Sequence, residues 1–233
     1  GFDQMMWLTA AKNPDHAASY RVFNADGSEV EQCGNGVRCV ARVLAGKSTE
    51  NQLLVLESPA GLVHAEILAD DLIAISMGTP EFAPARIPFT AAEEALLYPL
   101  DVNGETFDVA AISMGNPHCV LQVGDIATAT VASLGPLIEH HERFPQRCNV
   151  GFMHVVDPST IDLRVHERGV GETQACGTGA CAATVAGHRL GLLDSEVTVR
   201  LPGGEVMVSW RGGKNPVWLT GNAELISEGT VEL

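Results

Sequence analysis

The 233-residue chain carries 14 basic against 29 acidic residues, a net charge of −15, and such a balance repels nucleic-acid phosphates and argues against a cationic binding patch. With 45% hydrophobic residues the chain can bury one large core or two small ones, yet no apolar run approaches the ~20 residues that cross a bilayer. Nothing at its start resembles a secretory signal, so the composition predicts a cytoplasmic protein with neither nucleic acid nor membrane as partner.

Six cysteines (Cys33, Cys39, Cys119, Cys148, Cys176 and Cys181) are too sparse for a disulfide scaffold and read as cytosolic thiols. The close pairs, CGNGVRC and CGTGAC, lack the spacing of zinc ligands, so no metal is expected.

In chain order, residues 1–8 (GFDQMMWL) predict a strand and residues 10–19 a turn-rich loop. Residues 20–25 alternate as a strand does. The loop DGSEVEQ leads to CGNG and then to VRCVARVLAG, whose small and apolar residues predict a helix enclosed on nearly all sides. QLLVLE, a SPAG turn and LVHAEIL predict a hairpin, and LIAISMG a third strand. Residues 79–103, with four prolines, form the expected crossover.

The second half repeats the first. FDVAAISMG and NPHCVLQV predict strands, DIATATVASLGPLIEHHE a helix, and GFMHVV a strand that matches the start of the chain. Residues 163–179 (LRVHERGVGETQACGTG) align without a gap on residues 20–36 (YRVFNADGSEVEQCGNG), every pair 143 positions apart. Arg21 thus falls on Arg164, Glu29 on Glu172, Cys33 on Cys176, Gly34 on Gly177 and Gly36 on Gly179. ACAATVAGHRLG is the twin helix, VTVRL with VMVSW the twin hairpin, and VWLTG the third strand. Each half therefore predicts an antiparallel sheet around one helix, an α+β arrangement. Its boundaries are expected at 1–77 for the first half, completed by a returning strand at 223–233, and 78–222 for the second. Repeat logic also predicts a further strand, helix and site loop ahead of Gly1, counterparts of the segments that precede GFMHVV.

A Cys followed by Gly-x-Gly at a helix start meets unpaired N–H groups and the positive dipole end, which favour an anion and lower a thiol pKa. The glycines let a carboxylate approach the backbone. Two such ends serving one substrate suit a reaction in which one thiolate removes a proton from carbon and a second thiol returns one to the opposite face. Two thiols that close are also expected to oxidise to an inactive disulfide. Cys39, Cys119, Cys148 and Cys181 are expected to be small core residues.

The repeat breaks symmetry where Asn24 is matched by Glu167 and Ala25 by Arg168, as an asymmetric substrate requires. SMGNPHC offers Asn116 and His118, an imidazole that can take a thiol proton. Gln4 and Asn149 stand at corresponding edges of the halves as possible ligand contacts. His16, His64, His140, His141, His154, His166 and His188 have no comparable setting, and no role is expected of them.

FNADGSEVEQCGNG, SMGNPHCV, ERFPQRCNVGF and ERGVGETQACGTGACA together resemble the diaminopimelate epimerase family over the whole chain. The resemblance implies two similar domains, each a sheet around a central helix, and an epimerase that uses neither pyridoxal phosphate nor any other cofactor. It implies interconversion of LL- and meso-diaminopimelate, in lysine and peptidoglycan precursor biosynthesis, by a homodimer. By the same resemblance Cys33 and Cys176 are the acid/base pair, supported by His118 and Glu167. Gly34, Asn35, Gly177 and Thr178 form the carboxylate cradle, and Gln4, Asn24, Asn116, Asn149 and Arg168 complete the substrate contacts, with Arg168 recognising the distal end. The family begins with a segment carrying a GNDF-like loop, which this sequence lacks. Two other readings are another racemase of the same fold, of proline or hydroxyproline type, and a non-catalytic amino-acid-binding protein.

Overall fold

A computed structural model describes residues 4–30, 33–46, 52–69 and 71–230. It divides into two units, Gly1–Ser76 with Thr220–Leu233, and Met77–Leu219.

The first unit contains β1 (Gln4–Thr9), β2 (Ala18–Asn24), β3 (Glu29–Val30), α1 (Gly34–Ala45), β4 (Gln52–Ser58), β5 (Gly61–Ile67) and β6 (Leu72–Ser76). The strand order is β1-β2-β4-β5-β6, with β3 paired to β2. Neighbours run antiparallel except β2 and β4, which are parallel. Alternation decides what is buried: Leu54 and Leu56 of β4 and Val63, Ala65 and Ile67 of β5 point inward. They form a core with Tyr20, Val22, Ile73 and Ile75 and with Val37, Val40 and Ala41 of α1, which packs on β1, β5 and β6. Only one face of α1 is enclosed, since Val43 is 59% exposed. The expectation of a helix enclosed on nearly all sides fails here: Asn35, Cys39, Val43 and Leu44 are exposed, whereas Arg38 is buried with the apolar face.

The second unit contains β7 (Tyr98–Val102), β8 (Glu105–Ser113), β9 (Pro117–Gln122), α2 (Val131–Glu139), β10 (Asn149–Asp157), β11 (Thr160–Glu167), β12 (Gly171–Thr173), α3 (Gly177–Arg189), β13 (Glu196–Leu201) and β14 (Gly204–Ser209). β15 (Trp218–Asn222) lies beside β14 and carries the chain across the unit boundary. The order is β14-β13-β11-β10-β9-β8-β7, with β12 on β11, and the pairs β9·β10 and β11·β13 are parallel. The sheets are therefore mixed rather than purely antiparallel. Residues 179–187 of α3 are all buried, as an Ala-rich surface permits: strands can approach a helix that has no bulky side chains. On the other face of the sheet α2 contributes Val131 and Ile138 to a cluster with Cys119, Leu121, Val150, Phe152 and Phe144.

Three expectations about elements need correction. The crossover at 79–103 ends in strand β7, because Tyr98, Leu100 and Val102 alternate inward against β8. The helix expected from DIATATVASLGPLIEHHE spans only Val131–Glu139, since Thr and Asp side chains ahead of it bond locally, as Thr128 Oγ1 does to Asp125. Residues 223–230 form no strand, and Ile226 is 91% exposed; alternation alone supplies no partner edge. Residues 1–3 and 231–233, included in those terminal-strand expectations, and 31–32 of the first loop lie outside the described residues.

The repeat itself is visible as duplicated contacts. Arg21 grips Glu29 through Nε and Nη2 at 2.8 and 2.6 Å, and Arg164 grips Glu172 in the same way at 2.6 and 2.9 Å. In each unit this bidentate pair ties the edge of the strand to the loop before the cysteine. The match of chain start to GFMHVV shifts, however: Met6 pairs with Val22 where Gly151 pairs with Val165. Met6, not Gly1, is the counterpart of Gly151, and Gln4 becomes that of Asn149.

Candidate functional site

Each unit carries one half of the expected site. In the first, Cys33 is the N-cap of α1 and its Sγ accepts the amide of Gly36 at 3.3 Å. The first intrahelical bond runs from Val37 to the carbonyl of Cys33, so the amides of residues 34–36 have no helical carbonyl to meet. Gly34 is buried and Asn35 exposed, its Oδ1 held by Arg38 Nη2 at 2.8 Å. Gln4 and Asn24 face one another across β1 and β2, with Gln4 Nε2 donating to Asn24 Oδ1 at 3.1 Å.

In the second unit Cys176 is the N-cap of α3, and the first bond is Ala180 to the carbonyl of Cys176. The amides of residues 177–179 are thus the equivalent set. The Sγ of Cys176 lies 3.7 Å from Thr178 Oγ1 and feels the Glu167 carboxylate. Glu167 in turn accepts Thr173 Oγ1 at 2.5 Å. Thr178 accepts Asn116 Nδ2 at 3.4 Å, and His118 Nε2 donates to Asn116 Oδ1 at 2.9 Å. Asn149 donates to the carbonyl of Pro117 at 3.3 Å and accepts the amide of Arg168 at 3.0 Å. Thr178 and Asn116, with His118 behind the amide, thus form one chain of contacts to Cys176, while Asn149 ties the Pro117 carbonyl to the Arg168 amide.

The glycines do more than admit a ligand. A Cβ on Gly179 would stand 3.2 Å from Cys176 Sγ and 3.0 Å from Val165 Cγ2, and one on Gly36 would stand 3.4 Å from Cys33 Sγ and 2.5 Å from Met6 Sδ. Both positions let the sulfur fold back over its own helix end beneath a strand side chain.

The electrostatics differ from the expectation of lowered thiol pKa values. Burial pushes the Cys33 thiol up, against the opposing amides of Gly36 and Asn35. Cys176, 5% exposed, is pushed up to about 12 by burial first and then by the Glu167 charge. Desolvating a thiolate outweighs the helix end here. His118 is 1% exposed, and burial, aided by the Arg168 charge, lowers it to about 3, so its ring is neutral at physiological pH. A neutral imidazole donating to Asn116 orients that amide. The titratable neighbour whose charge acts on Cys176 is Glu167.

All six cysteines are free thiols. Cys119, Cys148 and Cys181 are buried core residues as expected, but Cys39 is exposed, on the outer face of α1. Thr173 was missed; its position just before the cysteine loop, on β12, was the available signal. Among the described residues no group of His, Cys, Asp and Glu could hold a metal ion, and no helix is long and apolar enough to cross a membrane. A cavity of about 340 Å³ lined by residues including Phe107, Ala110, Val120, Met153 and Leu190 contains none of the candidate residues.

A family model described as diaminopimelate epimerase matches residues 1–83 and 110–226. The diaminopimelate epimerase of Pseudomonas entomophila (strain L48) is 54% identical over 234 aligned positions, covering all of this chain and 85% of that protein. That of Stutzerimonas stutzeri (strain A1501) is 52% identical with the same coverage. Among solved structures, a probable proline racemase from Agrobacterium radiobacter K84 superposes with a TM-score of 0.69 at 19% identity, covering 99% of this chain and 76% of that one. A hydroxyproline epimerase from Agrobacterium vitis gives 0.67 at 17%, covering 94% and 72%. Likeness at such identity concerns the fold alone.

Proposed function

This chain belongs to the diaminopimelate epimerase family, and from that membership we propose that it interconverts LL- and meso-diaminopimelate, one cysteine removing the α-proton and the other delivering a new proton to the opposite face. The observation that carries the reading is the duplicated cysteine N-cap: Cys33 and Cys176 head α1 and α3 in the same frame, each beside helix-start amides that have no helical carbonyl partner.

In the proposed step one cysteine thiolate takes the α-proton, and the electron pair of the broken C–H bond passes into the substrate carboxylate as an enolate. The other thiol then protonates the carbon from the opposite face, so the two sulfurs exchange protonation states and the configuration inverts. No bound cofactor accepts the electrons in this scheme, so the helix amides of residues 34–35 and 177–178 must carry the developing charge. Glu167, whose charge acts on Cys176, relays the proton that resets that thiol. The raised thiol pKa values fit an acid that holds its proton until substrate arrives. Arg168, exposed on the β11–β12 turn, supplies the cation for the distal carboxylate, and Gln4, Asn24, Asn116 and Asn149 complete the polar frame.

The reading extends to a cytoplasmic homodimer, supported by the family resemblance; light scattering reads the oligomeric state. The reaction is tested by incubating the chain with LL-diaminopimelate in deuterated water. Formation of the meso isomer with one deuterium at the inverted carbon is expected, and unlabelled, unchanged substrate would refute the proposal.

A further inference from the structure

Glu139, the last residue of α2, is a buried carboxylate that the proton-transfer scheme does not use. Its side chain is 4% exposed and that of His166 is 8% exposed. His166 Nε2 donates to Oε2 at 2.8 Å, while Oε1 accepts the backbone amide of Gly169 at 2.9 Å. Arg147 Nη1 stands 3.7 Å and His140 Nδ1 4.0 Å from the same carboxylate. Gly135, one turn earlier on α2, leaves room for the ring: a Cβ there would lie 2.7 Å from His166 Cβ and Cγ. Burying such a pair is a poor route to stability, because desolvation cancels most of the attraction.

The pair instead brackets the corner between β11 and β12. Each amide of the turn has a designated acceptor: Arg168 donates to Asn149 Oδ1 at 3.0 Å, Gly169 to Glu139 Oε1 at 2.9 Å and Val170 to the carbonyl of Glu167 at 3.0 Å. Gly169 adopts a positive φ of 76°, a conformation that a free tripeptide would hold only part of the time. Arg168 projects from this corner, its Nη1 fixed on the carbonyl of Gln146 at 3.1 Å. Of the three acceptors, Glu139 is the one that comes from a helix on the far face of the sheet and carries charge. In the first unit the aligned position of Gly169 is Asp26, an exposed turn residue, so the device belongs to the half that bears the arginine.

We propose that Glu139, with His166, is a positioning residue for Arg168: it locks the turn amide next to the guanidinium and thereby sets affinity for the distal, charged end of the substrate rather than the rate of proton transfer. This rests on the reading of Arg168 as the distal-carboxylate contact. Preorganising an exposed arginine removes the entropy that a mobile one loses on binding.

The test is steady-state epimerisation of LL-diaminopimelate by the full chain carrying Glu139→Ala, Arg168→Ala, or both. Arg168→Ala alone tests the underlying reading, and an unchanged KM in that variant refutes the reading and the proposal with it. Given a raised KM there, Glu139→Ala is expected to raise KM about tenfold with kcat within about threefold, and the double variant to match Arg168→Ala, because the two act as one unit. A parental KM in Glu139→Ala, even with a lowered Tm, overturns the proposal. So does a double variant whose KM is the product of the single effects. Should Glu139→Ala not fold, Glu139→Asp, whose shorter arm cannot span both Gly169 and His166, is read against the same criteria.

Discussion

Gly179→Ala tests how closely the sulfur must lie against its helix end. Its Cβ would meet Val165 Cγ2 at 3.0 Å and Cys176 Sγ at 3.2 Å. Val165 is 1% exposed on β11 and β-branched, so it cannot swing aside; relief to ordinary contact must come from the sulfur and the helix start, by roughly half an ångström. Alanine favours the helix by ~0.5–1 kcal/mol, whereas overpacking costs ~1–3 kcal/mol. The balance is a loss of about 1 kcal/mol, or a Tm lower by ~2–4 °C. A misplacement of ~1 Å costs on the order of a hundredfold in rate, so half that shift predicts a kcat about tenfold lower. Gly36→Ala is the internal control. Its clash at 2.5 Å is with the terminal sulfur of Met6, and Cys33 Sγ stands back at 3.4 Å, so a flexible thioether absorbs the strain and kcat stays within about threefold. Solvent-deuterium incorporation and a thermal melt measure both quantities. A parental kcat in Gly179→Ala, or a greater loss in Gly36→Ala than in Gly179→Ala, would show that the sulfur position is not what these glycines protect.

Cys33→Ala and Cys176→Ala are each expected to reduce epimerisation by at least a thousandfold while the fold survives, since inversion needs a proton donor on each face; near-normal turnover in either would remove that cysteine from the mechanism. His118, with a folded pKa of about 3 against ~6.5 unfolded, is neutral in the native state and binds its proton more readily when unfolded. Stability from this group is therefore complete above pH ~6.5 and is lost as pH falls toward 3. His118→Asn is expected to flatten the fall of Tm between pH 6.5 and 4, and an unchanged slope would contradict the buried, neutral ring. Thr173→Val removes the hydroxyl bonded to Glu167 and is expected to lower kcat about tenfold with KM little changed; a rise in KM alone would place Glu167 in substrate binding instead.

Much of the architecture was legible because duplication writes the same constraint twice. Arg21 with Glu29 and Arg164 with Glu172 keep their eight-residue spacing, and that spacing spans one strand, its turn and the edge strand that returns. The cysteine frame was readable on the same grounds, since Cys-Gly-x-Gly stands at the same place in both copies, ahead of a run of small and apolar residues. The alignment of residues 1–8 failed for a physical reason: hairpin register is decided by cross-strand pairing, and a matching GF dipeptide says nothing of which residue stands opposite Val22. Cys39 escaped for a similar reason, because which face of α1 is buried depends on the strands that cover it.

By itself, then, the sequence determined the repeat, the two helix starts and the residues at which the halves differ, all of which follow from short-range pattern and spacing. Only the tertiary structure decided how those residues behave. The thiols are raised rather than lowered because the surrounding strands exclude water, and desolvation has no signature in a linear motif. Glu139 meets Gly169 across thirty positions of chain, and a partner that distant exists only once the helix and the sheet have packed.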